Sequence, residues 1–193
     1  MKFVPCAIPD VLIVEPQVYG DSRGAFLETY NERAFAALGF RHHFVQDNLS
    51  VSKRDVIRGL HYQVRQPQGK LVYVIAGDVL DVAVDLRRWS PTFGRHVAIR
   101  LSDKERKSVW IPAGFAHGFA ALSEVACFAY KTTDFYAPEF ERTIVWNDPE
   151  VRIDWGVTPE NAIVSEKDRA GALFSQAEVY EDESFLNAAG QGL

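Results

Sequence analysis

The chain has 193 residues, 47% of them hydrophobic and 24% charged, with a net charge of −5 at pH 7. That length suits a single domain over residues 1–193 with a substantial core, and the acidic balance excludes a broad nucleic-acid face. Two distant cysteines, Cys6 and Cys127, make no disulfide framework and point to a reducing cytoplasm, while Met1 to Glu15, broken by Pro5 and Pro9, lacks the uninterrupted apolar core expected of a signal peptide and no apolar run nears the ~18 residues of a membrane span.

Most of the chain reads as short strands. Asp10 to Glu15 predicts one that stops at Pro16, and Ala25 to Tyr30 alternates between two faces. Asn31 suits the N-cap of a helix over Glu32 to Leu38, with Gly39 as its stop. Strands follow at Phe44 to Ser50, Val56 to Val64, Leu71 to Ala76 and Val79 to Leu86, the last with acids on one side. His96 to Leu101, Ser108 to Ile111, Gly118 to Leu122 and Val125 to Thr132 continue the series. Turn signals at Gly20-Asp21, Ala76-Gly77-Asp78, Ser90-Pro91, Ser102-Asp103 and Pro112-Ala113-Gly114 separate them. A second helical stretch opens near Ser165, whose spacing to Asp168 suits a cap. The tail from Tyr180 to Leu193 is acidic, then small and polar, and is expected to be loosely ordered. Many short strands with frequent turns predict a mainly β fold, a jelly roll or barrel with a few short helices.

The chemistry centres on His61, in the strand Val56 to Gln63. An imidazole can act as a base near neutral pH, and a carboxylate on its other nitrogen commonly orients it. Spacing alone does not choose that carboxylate, and a structural histidine inside a barrel is the competing reading. Arg58 lies three residues earlier on the same strand face, partly skewed by Gly59. An arginine pointing inward is costly unless it meets an anion. Lys70 follows the Gln66 to Gly69 turn. A second segment, Trp110 to Phe119, uses Pro112 and Gly114 to deliver His117 at the start of a strand. His61 and His117 together resemble the two motifs of the cupin superfamily. A metal-binding cupin carries His-x-His in the first motif, where this chain has His61-Tyr62-Gln63. Gln63 is a poor substitute for an imidazole ligand, so no metal is expected. Tyr130 is either a packed core tyrosine or an acid opposite a histidine, and Asp168 either caps a helix or serves a site.

The segments Asp21 to Phe26, Phe44 to Ser50, Arg58 to Gln63, Gln68 to Val72, Asp81 to Arg87, Ser90 to Gly94, Ile111 to Phe119, Tyr130 to Asp134 and Trp146 to Pro149 resemble, in order and spacing, the dTDP-4-dehydrorhamnose 3,5-epimerase family. The likeness runs from about Ile8 to Asp168. It implies a cupin-like jelly roll (a double-stranded β-helix) that pairs into a homodimer, with residues 1–30 at the interface and a C-terminal helical segment and tail over 165–193. It implies an epimerase without cofactor, acting on a dTDP-4-keto-6-deoxy sugar. By position, His61 matches the base, Asp168 its carboxylate, Tyr130 the acid on the opposite face and Lys70 the cation near the C4 ketone oxygen. Arg23, Gln46, Asn48, Arg58 and His117 match positions contacting nucleotide, pyrophosphate or sugar. Phe26, Glu28 and Tyr136 match positions around the thymidine, and Arg23 is implied to reach the neighbouring subunit's site. Ala25, Thr143 and Gly156 depart from the family's usual residues without removing a matched catalytic group. They leave open an epimerase that inverts a single centre, and beyond the family a metal-binding or non-catalytic cupin remains the reading from a different class.

Overall fold

Residues 1–184 are described by the computed structural model. Their strands, in chain order, are β1 (Lys2–Pro5), β2 (Leu12–Glu15), β3 (Val18–Asp21), β4 (Gly24–Leu27), β5 (Gln46–Lys53), β6 (Val56–Gln63), β7 (Lys70–Ala76), β8 (Asp78–Asp85), β9 (His96–Ser102), β10 (Ser108–Ile111), β11 (Phe115–Ala121), β12 (Val125–Thr132), β13 (Glu141–Thr143) and β14 (Ile163–Val164). Helix α1 (Glu32–Ala37) and helix α2 (Glu166–Arg169) complete the set. One sheet runs in the order β1-β2-β10-β7-β12-β5, and a second in the order β13-β6-β11-β8-β9, with β14 also beside β6. Pairing is antiparallel except where β14 runs parallel to β6. No described helix is long and apolar enough to cross a membrane.

Three apolar layers hold these sheets. Val72, Val74 and Phe128 from the first meet Val79, Phe115 and Phe119 from the second, which fills the space between them. Val82, Val84, Ala116 and Ala120 project from the other face of the second sheet and pack under Trp155, Phe174 and Tyr180. Phe35 of α1, with Phe40 and Trp110, covers part of the first sheet's outer face. Strands β8 and β11 are therefore covered on both faces, which is why β11 is buried along its whole length. Asp81 and Asp85 of β8 do not face solvent. Asp81 shares its side of the strand with Val79 and Ala83 and points between the sheets, because the C-terminal segment has claimed the opposite face.

Several expected boundaries move. Gly20 and Asp21 belong to β3, and the hairpin turns at Ser22-Arg23. The strand after it ends at Leu27, where its pairing with β3 runs out at Val18. β11 begins at Phe115, so His117 lies inside the strand. β1, β13 and β14 carry no pattern of their own; each is a short segment paired to a longer partner. Within the expected tail, Tyr180 is buried and its hydroxyl donates to Gln63 O at 2.6 Å. Residues 185–193 lie outside the described residues.

Candidate active site

A bulge in β6 creates one wall of the site. His117 pairs with His61, and Phe119 with Arg58, so Gly59 and Leu60 stand against Gly118 alone. Residues three apart on a regular strand point to opposite faces. The extra residue brings Arg58 and His61 to one cavity. Gly59 has φ +116, and the peptide joining it to Leu60 is cis. A Cβ on Gly59 would lie 2.6 Å from Gly118 Cα, and one on Gly118 would lie 2.6 Å from Arg58 O. Both positions therefore need glycine. Arg58 is not buried as an inward arginine would be. It is exposed at the mouth of the cavity, where its Nε donates to Ser52 Oγ at 3.1 Å, and the cost of desolvating a guanidinium is avoided.

His61 Nε2 lies 2.6 Å from Asp168 Oδ1, with 31% of the imidazole side chain exposed against 5% of the aspartate side chain. Asp168 belongs to α2, which the Ser165 hydroxyl caps by accepting the Asp168 N–H. Its carboxylate is thus not the cap. Its second oxygen accepts the Gly59 N–H at 3.3 Å. Burial pushes this carboxyl upward, but the His61 bond and charge, with the Gly59 N–H, outweigh it and hold Asp168 below the usual carboxylate range.

The opposite wall comes from the first sheet. Tyr130 on β12 sits opposite Val72, one pair along from Lys131 and Leu71 and two from Thr132 and Lys70. Its hydroxyl is shifted upward by burial and by Glu141, partly offset by Arg58. Lys70 is buried and its Nζ donates to His61 O at 3.4 Å, so it spans the two sheets. Burial lowers the ammonium to about 8, against the opposing pull of Glu141 and Asp81. His117 is buried with Nε2 2.7 Å from Asp81 Oδ1. Burial, helped by the charges of Lys70 and His61, lowers its pKa against the upward pull of Asp81.

Of the other expected residues, Gln46 and Asn48 join on one side of β5, with Gln46 Nε2 donating to Asn48 Oδ1 at 2.8 Å. Gln46 Oε1 accepts the Tyr136 N–H at 3.0 Å, which ties Tyr136 to the mouth of the cavity. The Tyr136 hydroxyl donates to Glu141 Oε2 at 2.8 Å, and Lys167 bonds the same oxygen. Arg23, Phe26 and Glu28 are not brought to this cavity. Arg23 pairs with Asp21 on the β3–β4 hairpin with 88% of its side chain exposed, Phe26 is 70% exposed and Glu28 accepts from Asn31. Gln63 is occupied structurally: its Oε1 accepts the Ala137 N–H and its Nε2 donates to Gln66 O and Phe135 O. Among the described residues no three His, Cys, Asp or Glu side chains group as metal ligands.

Three residues of the site, Asp81, Glu141 and Lys167, do not stand out in the sequence. Asp81 leaves only a misleading signal, because acids among the apolar residues of its strand read as a solvated face. Glu141 and Lys167 leave none. Chemically, the cavity offers a base oriented by a carboxylate on one wall, a phenol on the other and a cation between them.

A family model described as dTDP-4-dehydrorhamnose 3,5-epimerase matches residues 5–176. The dTDP-4-dehydrorhamnose 3,5-epimerase of Pseudomonas aeruginosa is 60% identical over 93% of this chain and 99% of its own. The crystal structure of dTDP-6-deoxy-D-glucose-3,5-epimerase from Legionella pneumophila, in complex with dTDP-4-keto-L-rhamnose, is similar with a TM-score of 0.90 at 46% identity, covering 94% of this chain and 98% of that one. A dTDP-4-dehydrorhamnose 3-epimerase from Streptomyces niveus is 39% identical over 92% of this chain and 86% of its own. The chain belongs to the dTDP-4-dehydrorhamnose 3,5-epimerase family, and its two facing sheets are the cupin-like jelly roll.

Proposed function

We propose that this family member is an isomerase that inverts C3 and C5 of dTDP-4-dehydro-6-deoxy-D-glucose to give dTDP-4-dehydro-L-rhamnose. The observation that carries the mechanism is the placement of His61–Asp168 and Tyr130 on opposing sheets around one cavity. Inversion needs a proton taken from one face of a carbon and returned to the other. A C4 ketone acidifies both neighbouring carbons. His61 gives its Nε2–H to Asp168, so the Nδ1 lone pair is left to remove the proton. Charge then develops on the ketone oxygen, and the Lys70 ammonium stabilises that enolate more than the ground state. Tyr130 reprotonates from the far side. Arg58 at the mouth suits the diphosphate, because its planar fork pairs with phosphate oxygens, and Gln46, Asn48, His117 and Tyr136 complete the contacts to the sugar nucleotide.

The same reading includes a homodimer. Leu49 and Val51 on β5, Ile75 on β7 and Val125 on β12 are each about half exposed or more on neighbouring strands. An apolar patch of that kind fits a self-complementary interface. With residues 1–30 at that interface, the β3–β4 hairpin would carry Arg23, Phe26 and Glu28 to the partner's cavity, which accounts for their distance from their own. Cys6 and Cys127 are unpaired, which fits the cytoplasm.

The test is incubation with dTDP-4-keto-6-deoxyglucose in heavy water. Deuterium at both C3 and C5 is expected. Label at C3 alone would move the protein to the single-centre reading that the 3-epimerase relative favours, and label at neither would end the epimerase claim.

A further inference from the structure

The second His–Asp pair has no role in the proton transfers just described, yet its histidine lines the same cavity. His117 stands directly across from His61 on paired strands. Asp81 reaches it from β8, on the other side of β11, diagonal to the Ala83–His117 pair. Both side chains are largely buried, at 8% and 1% exposure, and the imidazole stacks on Phe128 with ring centroids 6.0 Å apart. The ring is therefore fixed in place and in orientation. Nε2 is committed to Asp81. No buried side-chain nitrogen or oxygen among the described residues lacks a partner, so Nδ1, which has none, is an atom that the cavity reaches.

We propose that Asp81 is a positioning residue: it holds His117 in the tautomer that presents a bare Nδ1 to the cavity, where it accepts a hydrogen bond from a hydroxyl of the bound sugar ring.

The chemistry selects that partner. A carboxylate can only accept, so the proton shared with Asp81 belongs to Nε2. Burial disfavours the imidazolium, and the neighbouring charges of Lys70 and His61 oppose it as well. A neutral ring that donates at Nε2 must accept at Nδ1. The diphosphate oxygens and the ketone oxygen are themselves acceptors and gain nothing there. Sugar hydroxyls donate, and the proposed mechanism puts the reacting end of the sugar at His61, beside His117 on the paired strand. The two histidines then divide the ring between them, one taking a carbon-bound proton and the other fixing the sugar's rotation. This rests on the proposed epimerase reading.

The test uses the intact protein with nitrogen-15 in its histidines, and the variant Asp81→Asn. In the wild type, NMR should show His117 neutral, protonated at Nε2 and bare at Nδ1. In Asp81→Asn the amide donates to Nε2 and forces the proton onto Nδ1, so a hydroxyl meets a donor instead of an acceptor. The expected result is a loss of roughly 10- to 100-fold in kcat/KM, with affinity for plain dTDP unchanged. A wild-type His117 protonated at Nδ1 would overturn the proposal, and needs no variant to be seen. So would an Asp81→Asn protein with kcat/KM within about threefold of wild type, or one that loses dTDP binding in proportion. A wild type with the expected tautomer but no deuterium exchange would sink the epimerase reading and leave the tautomer assignment standing.

Discussion

The two His–Asp pairs occupy neighbouring parts of one sheet and differ chiefly in access. His61–Asp168 keeps nearly a third of its imidazole side chain exposed, whereas His117–Asp81 is almost wholly buried and reaches the cavity only at the edge of its imidazole. Asp168 arrives from a helix after β14 and Asp81 from the neighbouring strand, yet both bonds are made at Nε2. A His–Asp pair is thus not in itself a catalytic unit. Access to a reacting atom makes a base of one, and confinement makes a fixed acceptor of the other.

Removing each group in turn is the strongest way to break that contrast. His61→Ala is expected to abolish C3 and C5 proton exchange, a loss of about 10³-fold or more, while dTDP still binds. Wild-type exchange in that variant, measured by deuterium uptake, would remove His61 from the base role. Asp168→Asn should fall next, by roughly 10²- to 10⁴-fold in kcat, because the wrong ring nitrogen then carries the proton. A near-normal kcat in Asp168→Asn would mean that the carboxylate does not choose the tautomer.

Lys70 sharpens the contrast from the opposite sheet. Its ammonium is lowered to about 8 by burial. The cation that the enolate needs is present below that value, so kcat should decline as pH rises through about 8 in a pH–rate profile. Stability moves the other way. The unfolded chain keeps this lysine protonated to higher pH than the folded one, so the penalty for burying the charge is relieved above about 8. Lys70→Met should accordingly gain on the order of 1–3 kcal/mol at neutral pH while losing activity, as denaturant melts and the exchange assay would show. The smallest effect is expected at Gln63. Gln63→Ala frees the Phe135 and Ala137 backbone contacts at a cost of about 1–2 kcal/mol by denaturant melt, without loss of proton exchange.

The strands with their own hydrophobic period, β6 to β12, are legible in the sequence alone, as is the Asn31-capped helix. Elements defined by a partner are not. β14 is two residues long and exists because it lies along β6. That same pairing leads α2 to His61, which is why a carboxylate 107 positions away can be assigned by family likeness and not by spacing. Asp81 is hidden for a different reason. Its strand alternates acid with apolar, the pattern of a half-solvated sheet, but here the C-terminal segment buries the apolar side and Asp81 turns inward between the sheets. Arg58 shares a face with His61, as expected from a skew at Gly59, although a regular strand would put residues three apart on opposite faces. The bulge at Gly59 removes the conflict.

The division of labour between the two sheets is tested most directly by Tyr130→Phe in heavy water. With the acid gone and the base intact, His61 still removes the proton and returns a deuteron to the same face. The recovered dTDP-4-keto-6-deoxyglucose should therefore carry deuterium with its original configuration, and inverted product should be nearly absent. Inverted product at the wild-type rate, or no deuterium in the recovered sugar, would contradict a base and an acid placed on opposing walls.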